Sequence, residues 1–498
     1  MLASVRSATL FGVDGQVVTV EVHVHAGLPA YTIVGLPDTA VRESRERVRA
    51  AVLSSDLEWP NKRITVNLAP SGIRKTGSGL DLAVALGVLI ATEELPAGAL
   101  DDVAVLGELG LDGTIRAVPG TLALTAALVR AGCSTVVVPM DNVVEAALVP
   151  GARVHGARTL AELRACLKGE LPWPDPPPPP PARDDEDGDE PLDLSEVRGL
   201  PWARRALEVA AAGAHHLLLA GPPGVGKTML ARRLATVLPE LTPHEALEVT
   251  QVHSAAGRGT SRLVRVPPFR APHHTASVAA LVGGGSARPT PGEVTLAHRG
   301  VLFLDELGEF APRALDALRQ PLEERVVWIA RQALSLRFPA DFLLVACTNP
   351  CPCGLGPPAC GCGEVERARY RRRLSAPLLD RFDLRLAVQP PEPDDGPGEC
   401  SADVRARVTA AVERQRRRLC ATPWRRNAHV PAGALPALLP LSGEAAAVWH
   451  AEADARQLTG RGAARVRRVA RTLADLDDCA TIEPEHVALA ALLREDVP

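Results

Sequence analysis

The sequence predicts a multidomain α/β protein. An α+β domain spans 1–170, a proline-rich acidic linker 171–192, a phosphate-loop core with a parallel sheet 193–392, and a helical lid 393–498. Three observations carry this reading. Short β-rich runs alternate with helical ones before residue 170. Pro174 and Pro176 to Pro181 then form a stiff run, followed by the acidic stretch Asp184 to Glu190, which has nothing to build a core with. After it the order strand, glycine loop, helix begins, as an α/β layer requires.

The elements follow in order. Val17 to Val24 alternates like a half-buried strand, and Arg63 to Leu68 is another; Arg42 to Ser54 and Gly79 to Ala91 read as helices. Beyond the linker, Leu217 to Ala220, Val301 to Leu304 and Leu343 to Cys347 are short continuous apolar runs. Such runs suit a parallel sheet covered on both faces. Pro390 to Pro397 makes a second break, and from about Ser401 the chain is helical, Ala-rich and Arg-rich. A length of 498 residues is enough for about three domains. Hydrophobic residues, 46% of the chain, supply the cores, but aromatics are only 3%, so Ala, Val and Leu must fill them. The net charge of -4 argues against a protein coated in nucleic acid by bulk charge and leaves room for a local basic groove. The N-terminus lacks a signal pattern, and the most apolar run, Leu82 to Ala91, is far shorter than the roughly 20 residues of a membrane span. A soluble cytoplasmic protein without a membrane partner is expected.

Chemistry concentrates in Gly221-Pro222-Pro223-Gly224-Val225-Gly226-Lys227-Thr228, which fits G-x-x-x-x-G-K-[ST]. An apolar strand precedes it and the helical run Met229 to Leu238 follows. Glycines let backbone N–H groups turn inward around phosphate oxygens, and the helix start adds its dipole. Lys227 neutralises the β- and γ-phosphates of ATP, and Thr228 holds Mg²⁺. At the end of Val301 to Leu304, Asp305 is the second Mg²⁺ residue and Glu306 the base that activates water. Acidic pairs are usually solvated; four apolar residues before this pair and a phosphate loop upstream favour the functional reading.

This order of motifs resembles an AAA+ ATPase. The resemblance puts Asn349, after Leu343 to Thr348, at the position that orients the lytic water. It puts Arg381, in Leu378-Leu379-Asp380-Arg381-Phe382-Asp383, at the arginine finger of the helix-2-insert branch. The bland reading is an ion pair with Asp380 or Asp383. A finger acting on a neighbour implies a ring, most simply a homohexamer. In the lid, Arg468 best matches the sensor 2 arginine, with Arg471 three residues on along the same face.

Longer strings narrow the resemblance to the ComM/YifB family, the magnesium-chelatase-like AAA+ ATPases, over nearly the whole length. They include Val34-Gly35-Leu36-Pro37-Asp38, Val66-Asn67-Leu68-Ala69-Pro70 and Pro268-Phe269-Arg270-Ala271-Pro272-His273-His274. One departure is Leu200, where the family usually has Gln, which bears on packing beside the adenine; the linker is also more proline-rich than the family's. The resemblance implies a DNA motor that promotes branch migration during natural transformation. A hairpin over Val326 to Phe338, with Ile329-Ala330-Arg331-Gln332 near its tip, then lines a pore. Arg331 either follows a DNA phosphate or is an ordinary solvated arginine. His273 and His274 fall in the helix 2 insert, facing the pore or serving the fold.

The first domain resembles the S5-like fold shared with Lon-type proteases. Gly79 stands where the nucleophile belongs and Leu122 where its lysine belongs, so proteolysis is not expected. A magnesium-chelatase-type motor is the alternative activity; a non-catalytic nucleotide-switched scaffold is disfavoured by the intact Lys227, Asp305, Glu306 and Arg381. Five of the ten cysteines crowd one stretch. Cys351-x-Cys353 and Cys360-x-Cys362 are two thiol pairs around a Gly/Pro turn, either ligands of one structural Zn²⁺ or free cytosolic thiols.

Overall fold

The computed structural model describes residues 1–178, 192–259, 261–285, 289–331, 334–356, 360–390 and 396–494. Most of the expected linker, and Gln332 of the hairpin tip, lie outside them. The chain forms two compact units. The first comprises Met1–Asp184 with Pro243–Val264, and the second Asp185–Thr242 with Arg265–Pro498.

The first unit is α+β. Leu2–Phe11 and Asp14–His25 form a tight antiparallel hairpin, with Phe11 opposite Asp14 and Gly12 at φ 70° in the turn. A seven-stranded sheet grows from it in the order Ala30–Val34, Arg63–Ala69, Asp14–His25, Leu2–Phe11, Val103–Val105, Thr135–Pro139, Arg153–Ala157. Alternation buries Val18, Val20, Val22 and Val24 on one face. The helix Asp81–Ala91 is buried along its whole length. Gly87 permits its approach to the sheet: a Cβ there would lie 2.5 Å from Val22 Cγ2. Asp81, at the helix start, is buried and held in a two-point pair by Arg47, at 2.6 and 3.0 Å. The expected helix Arg42 to Ser54 is Ser44–Ser54, preceded by a short turn over Thr39–Arg42 that Asp38 caps.

Two features of this unit were not legible from composition. Trp173 stacks on His155 with centroids 4.3 Å apart, so the folded unit runs past residue 170 into the segment read as linker. The helix Pro243–Ala255 groups with this unit although it lies beyond the phosphate loop in sequence. Gly120 N–H donates to Ser254 O at 3.1 Å, Ser254 Oγ meets the buried Glu145 carboxylate, and Leu247 packs beside Leu122, Ala126 and Val149.

The second unit is built on a five-stranded, all-parallel sheet. Its order is Phe269–Arg270, Val301–Leu304, Leu343–Thr348, Leu217–Ala220, Leu384–Ala387. Every residue of Leu217–Ala220, Val301–Leu304 and Leu343–Thr348 is buried, as unbroken apolar strands demand. The helical C-terminal part shares the core with this sheet. Val404 and Val408 of Ser401–Arg418, and Val469 and Leu473 of Gly460–Leu476, belong to the same apolar cluster as Leu217, Leu219 and Val345. The hairpin Val326–Arg331 with Leu334–Pro339 forms as expected.

Candidate nucleotide site and cysteine cluster

A parallel sheet offers ligands the crevice beyond the carboxyl ends of its strands. Gly221, Asp305 and Asn349 each follow directly on one of three neighbouring strands of this sheet, so all three stand at that edge. The crevice encloses about 480 Å³, lined among others by Gly224, Gly226, Lys227, Thr228, Asp305 and Asn349.

The loop has the backbone the motif requires. Gly224 and Gly226 take φ values of 82° and 90°, and a Cβ on Gly221 would come within 2.4 Å of Val388 O. The helix Lys227–Val237 starts directly after Gly226, so its unpaired N–H groups face the crevice. Lys227 is 8% exposed and folds back, donating to Gly221 O at 2.6 Å, Pro222 O at 2.7 Å and Asn349 Oδ1 at 3.3 Å. Neutral oxygens hold it, and burial lowers its pKa below that of an ordinary lysine. A desolvated cation held only by carbonyls suits an incoming polyphosphate. Thr228 Oγ1 donates to Asp305 Oδ2 at 2.8 Å, which brings two hard oxygen ligands together, the donor set Mg²⁺ takes. Leu200 reaches the loop: its Cδ1 lies 3.7 Å from the position of a Cβ on Gly226.

Glu306 stands exposed at φ 51°, an uncommon conformation for a residue with a side chain. Its carboxylate lies 3.3 Å from His274 Nδ1, and His274 packs edge-on against Phe310. The sequence offered pore-facing or structural roles for His274; the structure sets it against Glu306, a contact the sequence reading did not include. The one signal for it was the His pair just after the strand Phe269–Arg270, which neighbours Val301–Leu304.

Arg381 and Arg468 are apart from this crevice and line a second cavity of about 400 Å³, together with Arg461 and Arg465. The Arg381 guanidinium contacts Glu323, and its Nε is buried without a partner among the described residues. Neither expected rival holds it: Asp380 binds Arg465 at 2.7 Å, while Asp383 binds Arg465 at 3.1 Å and His215 at 3.1 Å. Arg468 Nε donates to Val430 O at 2.7 Å. Arg471 is fully buried and committed to Asp475, Cys479 O and Ala480 O. Of the two lid arginines the sequence left side by side, Arg468 is the one that lines this cavity.

The four Sγ atoms of Cys351, Cys353, Cys360 and Cys362 lie within 4.8 Å of one another. Three of the separations are 3.2, 3.7 and 3.4 Å. Bonds of about 2.3 Å to a tetrahedral zinc put sulfurs about 3.8 Å apart, so the set fits that ion. Cys347 is outside the set; burial pushes its thiol far up, leaving it an inert core residue. In the first unit, Gly79 has no side chain to act, Leu122 is buried, Ser78 Oγ contacts Glu108, and Lys75 is buried with its ammonium on Pro70 O.

Three family profiles match the chain: "Magnesium chelatase, subunit ChlI" over residues 193–395, "Subunit ChlI of Mg-chelatase" over 20–142, and "Magnesium chelatase, subunit ChlI C-terminal" over 398–494. An uncharacterized protein of Mycobacterium tuberculosis is 44% identical, across 98% of each chain. The uncharacterized protein YifB of Escherichia coli is 41% identical, across 99% of this chain and 97% of its own. Competence protein ComM of Haemophilus influenzae is 39% identical, across 98% and 96%. Among the described residues no helix is long and apolar enough to cross a membrane. With relatives of this identity spanning both units, the chain belongs to the ComM/YifB family of magnesium-chelatase-like AAA+ proteins.

Proposed function

We propose that this chain is an Mg²⁺-dependent ATPase that works in a homohexameric ring and moves on DNA as a branch-migration helicase. The observation that carries it is the meeting of Lys227, Thr228, Asp305 and Asn349 at one strand edge. Lys227 exchanges its carbonyl partners for phosphate oxygens, so binding costs no buried carboxylate its counter-ion. Thr228 and Asp305 hold Mg²⁺, which when bound draws charge from the phosphates. Asn349 orients the attacking water, and Glu306 accepts its proton after leaving His274. Arg381 and Arg468 share a cavity away from the crevice, which suits groups that complete a neighbouring subunit's site. The DNA cargo rests on likeness to a competence protein. The magnesium-chelatase descriptions of the three profiles favour one second reading, a motor for metal insertion.

The test measures ATP hydrolysis with and without single-stranded and branched DNA, together with displacement of a paired strand. DNA-stimulated hydrolysis with displacement is expected; hydrolysis indifferent to every DNA, with no displacement, sinks the DNA reading and leaves the chelatase-type motor. The cysteine set holds one structural Zn²⁺ in this reading. Elemental analysis of purified protein then finds about one zinc per chain, and Cys353→Ser with Cys360→Ser loses it.

A further inference from the structure

The hairpin Val326–Arg331 with Leu334–Pro339 has two unlike faces. Its register sets Val327 opposite Phe338 and Ile329 opposite Leu336. Val327, Leu336 and Phe338 are buried, and Ile329 Cδ1 approaches Gly283, so this face anchors the hairpin. Strand alternation turns Trp328 and Ala330, opposite Arg337 and Ser335, the other way. There Trp328 is 47% exposed, and Arg337 and Ser335 are exposed with it.

An exposed indole flanked by small side chains is a flat apolar plate without a cover. Beside it, Arg337 has no acidic partner among the described residues. Arg325, just before the hairpin, differs: it faces Asp341 at 3.7 Å. The two strands contain arginines and no acidic residue, in a chain whose net charge is -4. A ring-sized apolar plate beside a free cation complements a planar base next to a phosphate. A protein partner normally needs a broader apolar patch than one side chain.

We propose that Trp328 and Arg337 form a contact for single-stranded DNA, with an unpaired base stacked on the indole and the adjoining phosphate on the guanidinium. The proposal rests on the DNA reading above. The strand must be single because a paired base hides its π-face within the stack. The two residues contribute in separable ways: stacking is nearly indifferent to salt, whereas a phosphate contact is not.

The experiment uses the full chain with a slowly hydrolysed ATP analogue and a fluorescent oligothymidine, at about 50 and 200 mM salt. Trp328→Ala weakens binding by about 5- to 150-fold at both salts, the range for losing one stacked base. Trp328→Phe, which keeps an aromatic face, retains most of the affinity. Arg337→Ala lowers the slope of log affinity against log salt by about 0.7. Wild-type protein that binds no oligonucleotide overturns the DNA reading itself. Wild-type binding with Trp328→Ala within twofold, or Trp328→Phe as weak as Trp328→Ala, overturns only the stacking contact.

Discussion

Lys227 and Glu306 flank the same crevice but differ in what holds them. Lys227 is buried and bonded three ways; Glu306 is exposed, sits at positive φ, and rests on His274. Lys227→Ala therefore removes the cation that offsets phosphate charge, and equilibrium binding of a labelled ATP analogue is expected to vanish. Glu306→Gln leaves the cradle intact and removes only the proposed base. It is expected to bind the analogue as wild type does and to hydrolyse ATP about 10²- to 10⁴-fold more slowly in a steady-state assay. Hydrolysis equal to wild type would remove Glu306 from the chemistry.

His216 is a residue whose cost is set by pH. It is half-buried in the wall of the second cavity, and its Nδ1 accepts Leu344 N–H at 3.0 Å, which requires that nitrogen unprotonated. Burial pushes its pKa down to about 4. The unfolded chain takes up the proton near 6.5, before the folded one does, so stability is whole above about 6.5 and is lost as pH falls towards 4. Between pH 7 and 5 this one group removes about 2 kcal/mol. Urea unfolding of wild type and His216→Gln at both pH values checks it: the variant's loss is smaller by about that amount. None of this was legible in the sequence, where His215 and His216 are merely two histidines before a strand. The same holds for Arg468 and Arg471. Three residues apart on one helix, they look alike until Asp475 and the carbonyls after the helix claim Arg471.

At the scale of elements, legibility followed burial. Leu217–Ala220 and Val301–Leu304 have the bounds expected of them, because a strand covered on both faces must be apolar at every position. The helix Pro243–Ala255 shows the opposite case. The sequence reading did not place it, and which unit it joins depends on Glu145 and Leu122, whose contacts with Ser254 and Leu247 span more than a hundred residues. Gly87 shows two element-level effects in conflict. Alanine in a helix interior is favoured over glycine by about 1 kcal/mol. Here the added methyl would meet Val22 Cγ2 at 2.5 Å, with both groups buried and neither free to swing away. Overpacking of that kind costs about 1–3 kcal/mol and outweighs propensity. Gly87→Ala is thus expected to lower the unfolding midpoint of the first unit, followed by hydrogen exchange in Leu2–Phe11 and Asp14–His25. A raised midpoint would mean that the helix can draw back from the sheet.

At the scale of the molecule, the question is whether one chain holds a complete site. The crevice has Lys227, Thr228, Asp305, Glu306 and Asn349, yet Arg381 and Arg468 line a different cavity of the same unit. Two arginines lowered in pKa by burial, one whose Nε has no partner among the described residues, are costly to keep in a place where they do nothing. A head-to-tail ring resolves this, because each interface would join one chain's crevice to the next chain's arginines. The sequence suggested a finger by its motif alone; the separation of the two cavities is a geometric observation that the proposed ring would account for. Lys227→Ala and Arg381→Ala should each be inactive alone. Mixed in equal amounts and allowed to exchange subunits, they should recover about a quarter of wild-type hydrolysis, since about one interface in four pairs an intact Lys227 with an intact Arg381. A site completed within one chain predicts no recovery at any mixing ratio. Recovery that disappears when the protein is diluted below its assembly concentration would tie the activity to the ring rather than to a soluble intermediate.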